Sequence, residues 1–308
     1  MTEDSRLRKS EGLPKSGLKV RQVHDAARPL NGRVCMVTGA TAGIGLATAE
    51  ALARRGATVV AVGRNAEAGE RLADRLRKET DNPQIEFLRA DLSLQSEVRA
   101  LAAGFLRSYA RLHVLVNNVG AYFLGRRMTA EGLEATFALN YWNVFLLTRL
   151  LLEALQAGVP SRIVNVSSDS HRGARLDLAA VERARGGSGL NAYGQSKVAL
   201  TSFTYELARR LAGSGVTVNA VHPGFVASNM YDEYPLLRWL VAPVVRRVGK
   251  PVVAGADTVV YLASSSEVEG VTGQYFVDRN AVRSSPATYD EDAARRLWQM
   301  SESVVGLR

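Results

Sequence analysis

Thr38-Gly39-Ala40-Thr41-Ala42-Gly43-Ile44-Gly45 stands between stretches of different character. Before it, Arg33-Val34-Cys35-Met36-Val37-Thr38 is a short apolar run suited to a buried strand. After it, Leu46 to Arg55 has helical composition, and Ala57 to Val62 is a second apolar run. The order is strand, glycine turn, helix, strand. Glycines permit a tight turn and let the backbone approach a pyrophosphate, while the helix N-terminus supplies N–H groups and positive dipole to the same anion. A glycine pattern by itself also fits an ordinary turn. Set between a strand and a helix, it reads as the opening of a βαβ dinucleotide-binding half.

The second strand runs into Ala61-Val62-Gly63-Arg64-Asn65. A carboxylate at this place would accept hydrogen bonds from a ribose 2′-hydroxyl and repel a 2′-phosphate. Gly63 offers none, and Arg64 is able to pair with a phosphate. The charge logic favours NADP over NAD, against the alternative that Arg64 is an ordinary surface arginine.

Strand and helix patterns then alternate. Gln84 to Arg89 reads as a third strand ending at Asp91-Leu92, followed by a helix from about Ser96 to Ala110. Val114 to Val116 is a fourth strand closing at Asn117-Asn118-Val119-Gly120, and Glu131 to Gln156 is predicted to be a long helix, apolar on most sides. Arg162 to Val166 is a fifth strand running into Ser167-Ser168. Asn191 to Ala212 is a helix, and Thr217 to Val221 a sixth strand before His222-Pro223-Gly224. This alternation predicts one α/β domain of residues 31–308, a Rossmann-type doubly wound parallel sheet flanked by helices. Residues 1–30 are polar with little periodicity and are read as a flexible arm.

The chain of 308 residues is long enough for one large domain or two small ones. Its only cysteine, Cys35, excludes an intramolecular disulfide framework and a cysteine-cluster metal site. His24, His113, His171 and His222 lack ligand spacing, so no metal site is expected. The formal charge of +9 is dispersed, and residues 1–30 carry seven Lys/Arg against four Asp/Glu. That distribution argues for a solvated basic surface rather than a nucleic-acid groove. With neither an apolar secretion signal nor a run of about 20 apolar residues, the sequence predicts a cytoplasmic protein without integral membrane association.

Tyr193-Gly194-Gln195-Ser196-Lys197 places a phenol and an ammonium four residues apart on one helix face. A tyrosine with a reference pKa of about 10 is a poor acid–base group at neutral pH, and a nearby cation favours its phenolate. The spacing fits a proton-transfer device, though taken alone it reads first as a packed tyrosine beside a solvated lysine.

The ordered set of these segments resembles the short-chain dehydrogenase/reductase family from about Asn31 to Leu307: the 38–45 turn, Asp91-Leu92, Asn117-Asn118-Val119-Gly120, Asn140, Ser168, the 193–197 segment and His222-Pro223-Gly224. The tail from Tyr261 to Phe276, with Ala294 to Trp298, is similar to the retinol-dehydrogenase-like branch. The resemblance implies that Tyr193 is the proton donor or acceptor, with Lys197 lowering its pKa and holding the nicotinamide ribose. Ser168 would bond the substrate oxygen, and Asn140 would hold a water of a proton relay. Gly39, Gly43 and Gly45 would shape the phosphate turn, with Thr41, Ile44 and Gly120 beside the cofactor. Asp91 and Leu92 would contact adenine, Asn117 would brace the sheet, and Pro223 and Gly224 would flank the nicotinamide. Ser167 competes with Ser168, and Asn140 has a structural alternative as a buried amide. The usual third residue of Asn-Asn-Ala-Gly is Val119 here.

The expected activity is NADP-dependent interconversion of a carbonyl and an alcohol by hydride transfer. A non-redox cyclase, dehydratase or isomerase would use the same acid–base groups. The stretch between Ser168 and Tyr193 reads as a mobile loop at the substrate entrance, and Phe225 to Lys250 as a lid or a membrane-touching segment. The apolar content of the 225–250 segment favours a bulky apolar alcohol or ketone. A homodimer or homotetramer is implied by the resemblance, with the apolar 140–156 segment as a candidate interface.

Overall fold

A computed structural model describes residues 28–182, 189–226 and 249–307 of the protein. Its strands are β1 (Val34–Thr38), β2 (Thr58–Gly63), β3 (Ile85–Arg89), β4 (Val114–Asn117), β5 (Ser161–Val166), β6 (Val216–His222), β7 (Tyr275–Val277) and β8 (Asn280–Val282). They form one sheet in the order β3-β2-β1-β4-β5-β6-β7-β8. Neighbours are parallel as far as β7, and β8 returns antiparallel along it.

A parallel sheet is covered on both faces, so its strands are apolar on both sides. Side chains alternate between two cores accordingly. Met36, Val60, Val62, Leu115, Ile163 and Val218 enter one. Cys35, Val37, Val59, Ala61, Val116 and Val164 enter the other. The second core is roofed by α1 (Gly43–Arg54), α2 (Ala66–Thr80) and α8 (Val252–Ser264) through Leu52, Leu72, Leu76, Val259 and Leu262. The first is covered by α3 (Gln95–Ser108), α4 (Asn143–Leu150), α7 (Gly189–Arg210) and α9 (Glu291–Val304). Two short helices, α5 (Leu152–Ala157) and α6 (Leu178–Glu182), lie between α4 and α7. The strand order reverses between β1 and β4, which opens a crevice at their carboxyl ends.

Four sequence expectations change. The 131–156 helix is broken into a turn at Ala135–Phe137, a π-helical segment at Ala138–Trp142, and then α4 and α5. It starts at 135 because the Glu134 carboxylate accepts the N–H groups of Thr136 and Phe137. Residues 143–148 are all buried within the domain, so the apolar surface that marked a candidate interface belongs to the core. The stretch after Ser168 is anchored at points where described: His171 is fully buried, Val181 belongs to the first core and Leu176 and Leu178 pack against it, between exposed residues such as Arg172, Arg175 and Asp177. Residues 28–30 belong to the domain, with Leu30 buried and bonded to Arg55 and Arg28 bonded to the Thr80 and Asp81 carbonyls. The remainder of the predicted arm and residues 227–248 of the predicted lid lie outside the described residues.

Candidate active site

The crevice is built first from β1 and the glycine turn. Gly39 and Gly43 have positive φ, at 67° and 55°. Gly45 has no room for a side chain: a Cβ there would overlap the Gly39 carbonyl and stand 2.5 Å from Asn118 Nδ2. Ala42 precedes α1 without a side-chain cap, and no acidic residue lies in the helix's first turn. The N–H groups at Ile44 and its neighbours are thus left to an anion. Thr41 packs against the next strand end, where a Cβ at Gly63 would come within 2.9 Å of Thr41 Cγ2. Arg64 beyond it is exposed and in no ion pair among the described residues.

Asn118, quoted in the sequence but given no role there, joins the two halves of the crevice. Its Nδ2 donates to the Thr38 and Gly39 carbonyls, and the N–H groups of Asn118 and Val119 donate to Thr38 Oγ1. The signal was a second amide directly after a strand end. Asn117 braces the sheet, donating to Thr148 Oγ1 and Asn165 Oδ1. At the end of β3, Asp91 Oδ1 accepts from Ser93, and the Leu92 carbonyl accepts from Asn143 Nδ2.

A second group gathers around α7. Lys197 is buried, and its Nζ donates to the Val166 carbonyl at the end of β5 over 2.9 Å. The ammonium lies 5.5 Å from the Tyr193 ring centroid. Burial pushes its pKa down to about 8. A Cβ at Gly120 would stand 3.4 Å from Lys197 Nζ and 3.3 Å from Asn140 Oδ1, so the glycine lets both side chains approach the end of β4. Asn140 is fully buried within the π-helical segment. Its amide accepts from Ala121 N and donates to Ala121 O and Ser196 Oγ, leaving one Oδ1 lone pair.

The two candidate serines have different surroundings. Ser167 is buried, its Oγ 2.9 Å from Thr201 Oγ1 in the packing against α7. Ser168 is half-buried and begins the 3-10 turn Asp169–Gly173, with its Oγ bonded to Ser170 N and Ser170 Oγ. Tyr122 meets Tyr193 edge-on at 6.1 Å between centroids, a neighbour the sequence did not single out. Gly224 has φ 85° with the Lys250 side chain lying across it, beside Pro223. Among the described residues there is no cluster of His, Cys, Asp and Glu suited to a metal, and no helix long and apolar enough to cross a membrane.

Residues 33–236 match the family model of the short chain dehydrogenases. Retinol dehydrogenase 11 of Homo sapiens is 40% identical over 278 residues, covering 90% of this chain and 87% of the relative. Among solved structures, an uncharacterized protein from Mycobacterium Paratuberculosis superposes with a TM-score of 0.73 and 31% identity, over 92% of this chain and 97% of that one. The Pseudomonas aeruginosa RhlG/NADP active-site complex gives 0.65 and 29%, over 81% and 96%.

Proposed function

Because the chain belongs to the short-chain dehydrogenase family, its nearer likenesses including retinol dehydrogenases, we propose that it is an NADP-dependent oxidoreductase interconverting a carbonyl and an alcohol on a bulky apolar substrate. The observation that carries the reading is the buried Lys197, which reaches from α7 to the Val166 carbonyl at the end of β5, two residues before the half-buried Ser168, and lies beside Tyr193.

The residues of the crevice fit a dinucleotide: an uncapped α1 N-terminus for the pyrophosphate, and glycines at 39, 43 and 45 that keep its approach open. Asp91 and Leu92 would hold the adenine, and Pro223 and Gly224 would flank the nicotinamide. Crowding at Gly63 by Thr41 Cγ2 and the charge of Arg64, in no ion pair among the described residues, support NADP, since a carboxylate is disfavoured on one residue and a phosphate partner is offered by the other. When bound, the nicotinamide supplies or takes up the hydride.

In the reducing direction negative charge grows on the substrate oxygen. Tyr193 gives that oxygen a proton, and Ser168 donates a hydrogen bond to it. Both interactions strengthen as the charge develops, so they favour the transition state. Ser168 accepts from the Ser170 N–H, and with the Ser170 hydroxyl as donor in the Ser168–Ser170 pair its own proton goes to the substrate. Protonated Lys197 stabilises the phenolate that Tyr193 becomes. Asn140, through its remaining Oδ1 lone pair, would hold the water that returns a proton toward Lys197. Substrate size is supported by the exposed apolar side chains of Leu124 and Leu190 around Gly189, where a Cβ would stand 3.2 Å from the Leu124 carbonyl and 3.6 Å from the Tyr122 hydroxyl.

The test is NADPH oxidation across a panel of apolar aldehydes and ketones, with Tyr193→Phe as control. Turnover in the wild type, with loss of at least about a hundredfold in Tyr193→Phe at unchanged NADPH affinity, is the expected result. NADPH binding without oxidation by any carbonyl or alcohol pair would favour a non-redox reaction at the same groups.

A further inference from the structure

The turn that follows Ser168 is joined to the C-terminal segment by three side chains. Asp169 Oδ1 accepts from the Tyr275 hydroxyl over 3.0 Å, and Arg172 Nη2 donates to the Arg283 carbonyl over 3.0 Å. Between them His171 has no exposed surface. Its Nε2 accepts from Ser285 N at 2.9 Å, and its Nδ1 lies 2.6 Å from the Ser168 carbonyl oxygen. A backbone N–H only donates and a carbonyl only accepts, so Nε2 carries the lone pair and Nδ1 the hydrogen. The contacts therefore fix both the tautomer and the charge: the ring is neutral. Protonation would turn an Nε2–H against the Ser285 N–H.

The connection continues to the helix of Tyr193. Ser284 Oγ lies 2.6 Å from the Tyr205 hydroxyl and 2.7 Å from Thr288 Oγ1, and Tyr205 is on α7, about three turns beyond Tyr193. At the other end of that helix, a Cβ on Gly194 would stand 3.0 Å from the Ser170 carbonyl and 2.8 Å from Ala174 Cβ. The absence of a side chain lets α7 sit directly on the turn after Ser168. Both candidate hydroxyls thus belong to one closed circuit, which His171 completes.

We propose that His171 is a positioning residue, a neutral strut between Ser285 N and the Ser168 carbonyl that fixes the Ser168 hydroxyl relative to Tyr193. This rests on the role given to Ser168 in the proposed reaction. Burial, the largest influence on its pKa, holds the imidazole below its ordinary range, in keeping with a neutral ring.

Two substitutions and one spectrum test it. His171→Phe keeps an aromatic ring and removes both bonds; His171→Asn retains one donor and one acceptor. With an accepted carbonyl substrate, His171→Phe is expected to lower kcat about tenfold to a hundredfold with NADPH affinity within about twofold, and His171→Asn to recover part of the loss. In a Ser168→Ala background, His171→Phe should lower kcat no further, because a strut acting through Ser168 has nothing left to position. An equal loss in both backgrounds, or none with Ser168 present, overturns the proposal.

The strut is also read without turnover. In the wild-type protein the 15N signals of His171 should show Nδ1 protonated and Nε2 unprotonated from about pH 8 to about pH 5, below the ordinary histidine range. The charged or titratable groups facing the ring are Asp169, Arg172, His222 and Tyr275. Exchange of the Ser285 amide should accelerate at least about tenfold in His171→Phe. A ring that titrates near pH 6.5, or unchanged Ser285 exchange, overturns the strut whatever the reaction. These signals intact in a protein that oxidises no NADPH would support the strut and reject the redox reading instead.

Discussion

Lys197 carries the most direct residue-level consequence. Its ammonium is buried and titrates near pH 8, lowered by desolvation. In the proposed reaction the charge present below that value would stabilise the phenolate left when Tyr193 gives up its proton. Above it the charge is lost and proton donation becomes harder. For reduction, kcat/KM is therefore expected to decline above about pH 8, and Lys197→Met should lose about a hundredfold at pH 7. A profile level from pH 7 to 9.5 would contradict this. Arg64 gives the second test. Arg64→Asp should reverse the ratio of kcat/KM for NADPH over NADH by about tenfold or more, because it would replace the proposed phosphate partner with a repelling carboxylate. An unchanged ratio removes the argument for NADP from this residue. Both side chains were visible in the sequence, one by its spacing from Tyr193 and one by its place after β2. His171 was visible only as a histidine without metal spacing; its two bonds join positions far apart in the chain, and only folding makes them.

At the level of elements, the phosphate turn is a close contact of three pieces: the Gly39 carbonyl, Asn118 Nδ2 and the start of α1 at Gly45. Gly45→Ala forces a Cβ into backbone, which must move. A loss of about 1–3 kcal/mol in stability is expected from overpacking of this kind. NADPH affinity should fall further than stability alone explains, measured by urea unfolding and by titration of cofactor fluorescence. Wild-type affinity in Gly45→Ala would mean that the turn does not shape the site. The regular elements were legible in the sequence because buried parallel strands are continuous apolar runs and helices are not. The irregular ones were not. The π-helical segment at Asn140 interrupts an apolar stretch that reads as one helix, and its side chain bonds Ala121, a partner no local pattern announces. The β7–β8 turn uses Asp278 and Arg279 at φ 48° and 62°, where Asn-Gly would have signalled a hairpin. Arg279 is held there by Asp257 and Thr258, both from α8.

Across the whole molecule, the described histidines share one electrostatic situation. Burial is the largest influence on His113, His171 and His222, and it holds each below the ordinary histidine range. All three accept a backbone N–H that requires a bare nitrogen, His113 from Val34, His171 from Ser285 and His222 from Asp169. The unfolded chain binds these protons near pH 6.5 and the folded protein resists them, so stability falls as pH drops below that value. The slope is at most about 1.4 kcal/mol per pH unit for each group, and less for the partly exposed His113 and His222. Asp169, Glu131 and Glu302 are held below the usual carboxylate range, and their contribution disappears only at lower pH, as they take up protons in the folded state. On the alkaline side Cys35, pushed up to about 12 by burial, favours unfolding once the free thiol ionises, while Lys197 acts in the opposite sense. Urea unfolding should accordingly show a plateau near pH 7–8 and a loss of about 1–3 kcal/mol by pH 5.5, before carboxylates contribute much. His113→Asn offers Val34 an acceptor that does not titrate, so it should remove part of that acid slope while leaving turnover at pH 7 unchanged. Stability that stays level from pH 7 to 5.5 would show that these rings take up protons in the folded protein as readily as in the unfolded chain.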